Sequence, residues 1–438
     1  MTDLKSRPKT WGLTRTVPVE QTIRAVQGLA KRFGVTRVAD ITGLDRIGIP
    51  VATAVVPKSD DFLTIYSGKG SRRADAIGGA LMEAIERQAT LRARPKCLTA
   101  SPVELSRRES IAEPREILTA MAGGYRDDRP CEWVEGYDLL QRRSVLVPAA
   151  TAGYCWRHLP NPAPHAITSA HGLSAGNCME ETVSQSLCEW VERDAWTLAE
   201  LTSHWRRRAF AEVASLGRDP GSLFEDDFES FPSIDFSGIG QPVEGLLRRY
   251  RRAGIEPIVR DISSDLAIPV VVATIAEDEI PGFPQAHFGV GAHPDLRVAA
   301  TRALTEAAQS RAGDIQGVRE DLAPADGDGD AKGVVVHTRR VKQIDRNRWM
   351  LRASSRVRPW REIEEHRNPD ILTDIELLLA RLTRAGIRQV AVVDFSPPDS
   401  GVSVIRTIIP GLEMWIADRG RVGQRATAAW NRAWHPRN

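Results

Sequence analysis

The sequence predicts a mixed α/β (α+β) fold in which sizeable sheets are flanked by long helices, and three observations carry this. Runs with helical periodicity alternate with β-rich runs along most of the 438 residues. Three of the helical runs are long. Hydrophobic residues make up 42% and charged residues 26%, ordinary globular usage that excludes a disordered or fibrous chain. Lys plus Arg (59) nearly balance Asp plus Glu (57), so no global basic field points to nucleic acid or an anionic membrane. No apolar run reaches the ~20 residues of a membrane span, and the N-terminus lacks a signal-peptide core, so the expected location is cytoplasmic.

In chain order, a helix is expected over Val19–Phe33, then strand material over Val35–Ala39 and Ile47–Val56 around a turn at Gly43-Leu44-Asp45. The loop Ser67-Gly68-Lys69-Gly70 precedes a helix from Ala74 to Arg92, which Pro95 ends. Glu132–Tyr137 and Ser144–Pro148 suggest a strand pair, and a second long helix runs from Asn177 to His204. Gly217–Ser237, rich in Asp, Pro, Gly and Ser, reads as a surface loop before a helix over Val243–Ala253. Strands follow at Pro257–Asp261 and Ala267–Ala273, and then a third long helix at Leu296–Asp314. Ala323–Gly333 reads as a loop or boundary; beyond it lie a helix at Asp370–Ala385 and strands at Gln389–Asp394 and Ser403–Ile409. This divides the chain into an N-terminal extension (1–60) packed on the core, a main domain (61–425) and a tail (426–438). The cysteines Cys97, Cys131, Cys155, Cys178 and Cys188 are odd in number and form no CxxC pair, so most of them read as small buried apolar residues.

The three long helices carry the chemistry. At 100° per residue, Ala76, Gly79, Ala80, Glu86 and Arg87 lie within about 60° of Glu83, opposite the large residues Ile77, Leu81 and Ile85. Small neighbours beside two acids leave room for a ligand. On the second helix Asn177, Glu181, Gln185, Glu189 and Glu192 form a stripe opposite Met179, Val183, Leu187 and Trp190. A solvated face would interleave Lys or Arg at four-residue spacing; here that spacing is taken by Asn, Glu, Gln and Glu, and only Arg193 lies near the stripe. Glu181 and Glu192 are roughly 16 Å apart along the axis, too far for one ion and suited to an elongated ligand with several charged stations. The third helix aligns Arg302, Glu306 and Gln309, with Arg311 to the side and Arg319 beyond. Carboxylates without matching cations call for a metal. Mg2+ takes one or two carboxylates and completes its shell with phosphates and water. The glycines and Lys69 of the 67–70 loop suit phosphate oxygens, yet no GxxxxGK[ST] spacing occurs.

Taken together, SGKG-x6-G-x4-EAIER (67–87), SAGN-x3-E-x7-E-x2-ERDA (174–195) and RALTEAAQSR (302–311) resemble the YcaO family over residues 12 to 425. The resemblance implies a YcaO-type fold that holds ATP on these helices, with Mg2+ bridging Glu83, Glu86, Glu181, Glu189 and Glu192 to the phosphates. It implies nucleotide contacts for Ser67, Lys69, Asn177, Glu181, Gln185, Arg193, Arg302 and Glu306, and leaves open whether Arg302 or Arg311 meets the phosphates. No catalytic residue is assigned. The chemistry implied is O-phosphorylation of a peptide backbone amide. The terminus Ala433–Asn438 lacks the proline-rich tail of azoline-forming members. The runs Arg37–Pro50 and Val404–Glu413 look like the branch that works with a TfuA partner and is associated with thioamides. Thioamidation of a peptide or protein is therefore expected first. Cyclodehydration to an azoline or amidine comes second, and a non-catalytic ATP-binding scaffold third. Expected partners are the peptide substrate, a TfuA-like protein, a separate leader-peptide-binding protein and a second copy in a homodimer.

Overall fold

A computed structural model describes residues 4–61, 63–117, 126–154, 156, 159, 169–219, 229–277, 285–317, 347–414 and 422–434. Cys155, the Ala323–Gly333 segment, Arg319 and residues 435–438 of the expected tail lie outside them.

The chain opens with helix α1 (Val19–Arg32), whose buried Val26, Leu29 and Ala30 share one face. Strands β1 (Arg37–Asp40), β2 (Val51–Val55) and β3 (Ile65–Lys69) form an antiparallel three-stranded sheet, after which helix α2 (Arg73–Arg92) folds back over β3. β4 (Leu98–Ala100), β5 (Cys131–Asp138), β6 (Arg143–Pro148) and β7 (Leu173–Gly176) lead into α3 (Met179–Ser215). β8 (Ser233–Asp235), α4 (Val243–Arg252), β9 (Ile258–Asp261), β10 (Val270–Glu277) and β11 (Gln285–Ala292) precede α5 (Leu296–Gly317). β12 (Val357–Pro359), α6 (Ile371–Arg384), β13 (Ala391–Asp394), β14 (Ser403–Ile408) and α7 (Gln424–Trp434) complete the fold.

Five strands join in the order β11-β10-β9-β8-β12, and six more form β4-β5-β13-β14-β7 with β6 paired to β5. α3 lies between these two large sheets. Val183, Leu187 and Val191 pack with Val392 and Ile405 of one sheet and with Val270, Val272 and Val290 of the other. The opposite face of the six-stranded sheet carries Ala391, Val393, Val404 and Ile408 against Val26, Leu29, Leu81 and Ile85 of α1 and α2. The opposite face of the five-stranded sheet, with Val271, Ala273 and Ile275, packs on α4 and α5. Period-two alternation on strands buried from both sides thus supplies two cores per sheet.

Three strand-to-helix units, β3–α2, β7–α3 and β11–α5, position the site. Strand glycines let each helix lie directly on the strand before it. A Cβ on Gly68 would stand 2.0 Å from the carbonyl oxygen of Ala76 and 2.2 Å from the amide nitrogen of Ala80, and one on Gly291 would stand 2.2 Å from the carbonyl oxygen of Ala299.

Several expectations are corrected. Ser67, Gly68 and Lys69 belong to β3 and not to a loop. The second long helix continues past His204 to Ser215, because no Gly or Pro intervenes before Gly217 and Trp205 packs edge-on against Trp430 of α7 at 5.3 Å. It begins at Met179, with Asn177 just before it. β10 starts at Val270 because Ala267 adopts a positive φ of 50°, a turn conformation. The Gly43 turn is a 3-10 turn over Thr42–Leu44, and β8 lies inside the expected 217–237 loop. β7 and β11, whose glycines depress strand propensity, were not expected from the sequence.

Candidate active site

α2, α3 and α5 present their acids to one crevice. Glu83 accepts a hydrogen bond from the Ser67 amide of β3 at 2.9 Å, which fixes it against its own strand. Arg87 Nη2 lies 3.4 Å from Glu83, and its Nε lies 3.3 Å from Glu86. On α3, Arg193 Nη2 is 3.4 Å from Glu192. On α5, Glu306 receives Lys69 Nζ from β3 at 2.7 Å, and Gln309 donates to the Ser67 carbonyl at 3.1 Å.

Electrostatics show that these groups share one environment. Burial pushes the Glu86 carboxyl up to about 8; Arg87 opposes this, and Glu83 and Glu189 add to it. Burial likewise pushes Glu192 up to about 8 against the pull of Arg193, with Glu306 and Glu189 reinforcing it. Glu83 and Glu189 are also raised, first by burial, with Arg87 and Arg193 respectively as the main opposing charges. Five carboxylates (Glu83, Glu86, Glu189, Glu192, Glu306) therefore meet three cations (Lys69, Arg87, Arg193). Protein charge alone does not balance the crevice, an arrangement that favours a cationic ligand. His171 lies 3.8 Å from Glu189, but burial and the charges of Arg193 and Arg406 hold its imidazole well below the usual range; it is neutral, and the contact is no ion pair.

A second station lies near the N-terminus of α3. Gln185 accepts a hydrogen bond from Arg302 at 2.5 Å, and Arg302 also donates to the Ala292 carbonyl at 2.9 Å. Glu181 is buried and accepts from the Thr16 amide (2.7 Å), the Thr16 hydroxyl (2.6 Å) and the Asn177 side-chain amide (2.8 Å), with Arg15 at 3.4 Å. Burial would raise its pKa, but Arg15 and these hydrogen bonds outweigh it and hold the carboxyl below the ordinary value. Thr14, Arg15, Glu181, Gln185, His293 and Arg302 line a niche here. An N-terminal strap roofs it, tied by Lys9 to Asp374 (2.5 Å) and by Arg7 to Glu180 (3.2 Å).

The sequence-predicted residues thus divide. Glu83, Glu86, Glu189, Glu192, Glu306, Ser67, Lys69 and Arg193 surround the crevice; Asn177, Glu181, Gln185 and Arg302 form the second station. Arg311 belongs to neither and pairs with Asp45 at 3.2 Å. Arg15, Thr16, Lys9 and Asp374 were missed, because nothing in their local sequence marks a partner more than 150 residues away. Arg87 was visible on the Glu83 stripe but had no role.

The donor set suits Mg2+: the crevice offers hard carboxylate oxygens and no thiolate. Among the described residues no three His, Cys, Asp or Glu side chains lie close enough to hold an ion unaided. Each ion would therefore take one or two carboxylates and complete its shell with phosphate oxygens and water.

Comparison with known proteins identifies the family. Residues 67–413 match the family model described as YcaO cyclodehydratase, ATP- and Mg2+-binding. An uncharacterized protein of Methanothermobacter thermautotrophicus is 32% identical over 412 residues, covering 92% of this chain and 96% of that protein. An uncharacterized protein from the tfuA 3' region of Rhizobium leguminosarum bv. trifolii is 34% identical over 426 residues, covering 94% and 92%. The fold resembles YcaO from Methanopyrus kandleri, solved with AMPPCP and Mg2+, at a TM-score of 0.68 and 24% identity over 97% of this chain and 98% of that one. It also resembles a heterocyclase solved with substrate and cofactor, at a TM-score of 0.73 and 21% identity over 94% of this chain, which spans about half (54%) of the heterocyclase. No helix among the described residues is long and apolar enough to cross a membrane. The chain belongs to the YcaO family of ATP- and Mg2+-binding enzymes.

Proposed function

We propose that the enzyme activates a peptide backbone amide by O-phosphorylation and, with an external sulfur nucleophile, converts it to a thioamide. The observation that carries the site is the convergence of five carboxylates from three helices around Lys69, Arg87 and Arg193. In this reading Glu83, Glu86, Glu189, Glu192 and Glu306 hold Mg2+, which when bound neutralises the triphosphate. Lys69 and Arg193 face the phosphoryl oxygens, and Arg302, Gln185, Glu181 and Asn177 lie toward the nucleoside end. Two stations along α3 suit one elongated nucleotide. These residues contribute positioning and charge stabilisation, the main catalytic terms in phosphoryl transfer.

The chemistry balances without a redox partner. Sulfide adds to the amide carbon, the displaced oxygen takes the γ-phosphoryl group of ATP, and phosphate departs with that oxygen. ADP is released and C=S remains. The tfuA-region location of a 34% identical relative supports the thioamide branch and a TfuA-like partner. The cyclodehydratase description of the family supports the second reading, in which a peptide Cys, Ser or Thr side chain is the nucleophile and an azoline results.

The test is incubation of the protein with ATP, Mg2+, sulfide and candidate peptides, with and without a TfuA-like partner, followed by mass spectrometry. Replacement of oxygen by sulfur supports thioamidation. Loss of one water supports cyclisation. ATP binding without turnover under any combination points to a scaffold.

A further inference from the structure

Beneath the α2 acids lies a buried polar network that the reaction as described does not use. Asp61, in the β2–β3 connection, is almost fully buried, yet both its oxygens are engaged by phenols: Tyr154 donates to one at 2.6 Å and Tyr66 to the other at 2.9 Å. Gln88 of α2 donates to the Tyr66 hydroxyl at 3.1 Å and to Ser59 at 2.7 Å, which locks the phenol in place. The Tyr154 ring is capped by the Arg87 guanidinium, 5.1 Å from its centroid. Tyr154 also packs with Leu91 of α2 and Leu173 of β7, joining the helix of Glu83 and Glu86 to the strand that leads into the helix of Glu189 and Glu192.

Arg87 stands between two anionic surroundings. On one side are Glu83 and Glu86, at 3.4 and 3.3 Å, long for charge-assisted hydrogen bonds. Also against it is the face of the Tyr154 ring, whose hydroxyl holds the Asp61 carboxylate, and the charge of Asp61 favours the guanidinium. A carboxylate that turns to a cation releases its grip on Arg87, and a largely buried guanidinium left without a counter-charge is costly.

We propose that Asp61, acting through Tyr154, is a positioning residue that gives Arg87 a second counter-charge, so that Glu83 and Glu86 are free to bind metal. This rests on the crevice being the metal site. Arg87 balances the acids when no cation is present and falls back on the Tyr154 face and Asp61 when one arrives. Asp61 touches neither metal nor nucleotide in this role.

The experiment is Mn2+ titration of the full-length protein with a non-hydrolysable ATP analogue, followed by electron paramagnetic resonance of free Mn2+. The proteins compared are wild type, Asp61→Asn, Tyr154→Phe, Arg87→Met and Asp61→Asn/Arg87→Met, with circular dichroism and melting curves to verify folding. Asp61→Asn is expected to weaken Mn2+ binding about tenfold, and Tyr154→Phe, which keeps the ring, by less. In the Arg87→Met background Asp61→Asn should have no further effect, because the charge it serves is gone. A folded Asp61→Asn protein with wild-type Mn2+ affinity overturns the proposal, as does an equal loss in both backgrounds. If Asp61→Asn does not fold, Tyr154→Phe alone decides: weakened binding supports the role and unchanged affinity overturns it. Absence of nucleotide-dependent Mn2+ binding in the wild type overturns the crevice assignment itself, a result distinct from either of these.

Discussion

Glu192→Gln separates what this side chain gives the metal from what it costs the fold. The metal-free native state holds the Glu192 proton to about pH 8, whereas an unfolded Glu releases it near 4.5. At pH 7 the native state is thus binding a proton that the unfolded state has lost. Stability falls by about 1.4 kcal/mol for each pH unit in that window, or about 3 kcal/mol between 4.5 and 7 if Glu192 acted alone. The group is surrounded by Glu189 and Glu306, and removing one charge lets its neighbours ionise more easily, so the recoverable part is about 1–3 kcal/mol. The sign follows from the raised value: the penalty is absent below about pH 4.5, grows as pH rises and levels off above about 8. The Gln variant escapes it. Denaturant unfolding of metal-free protein should therefore show Glu192→Gln close to wild type at pH 5 and more stable at pH 7.5, while Mg2+-dependent ATP turnover is lost. A folded variant with normal turnover would refute the metal role. A variant less stable than wild type at pH 7.5 would refute the electrostatic account of the crevice.

Two further substitutions test the scaffold. Gly68→Ala places a methyl 2.0 Å from the carbonyl oxygen of Ala76 and 2.2 Å from the amide nitrogen of Ala80, both backbone atoms of α2. β3 must lift from the helix, at a cost of about 3 kcal/mol, and the Ser67–Glu83 bond should break; Gly43→Ala, with nothing within 4 Å, should be neutral in the same denaturation assay. Lys9→Met leaves Asp374, whose side chain is 1% exposed, without the cation now 2.5 Å away. A loss of about 3–5 kcal/mol is expected, and Lys9→Met/Asp374→Asn should recover most of it; no recovery in unfolding curves would show that the strap is held by something else.

Much of the site could be read from the linear chain because helical geometry is local. Angles of 100° per residue place Glu83 with Glu86, and Glu181 with Gln185, Glu189 and Glu192, whatever surrounds the helix. On the second helix the four-residue spacing taken by Asn, Glu, Gln and Glu, with only Arg193 beside it, marked a candidate ligand face, and the separation of Glu181 from Glu192 called for several charged stations; in the structure those two acids have different partners. The glycines of β7 and β11 hid those strands for the same reason that makes them work. They remove side chains so that a helix backbone can lie against the strand, and in doing so they erase the apolar alternation by which a strand is recognised.

The sequence by itself determined the α/β class, the three long helices, their acidic stripes and the family. The tertiary structure decided what surrounds each stripe. α3 lies between two sheets, and burial of its Glu189 and Glu192 raises their proton affinities, whereas Glu181, met by Arg15 and Thr16, is lowered; on an exposed helix the same residues would titrate as ordinary glutamates. It also separated Arg302, seated against Gln185, from Arg311, drawn off to Asp45. The strap over Glu181 and the Asp61–Tyr154 support under Arg87 come from segments far apart in the chain. No local period encodes such contacts; only the packing of the sheets brings them together.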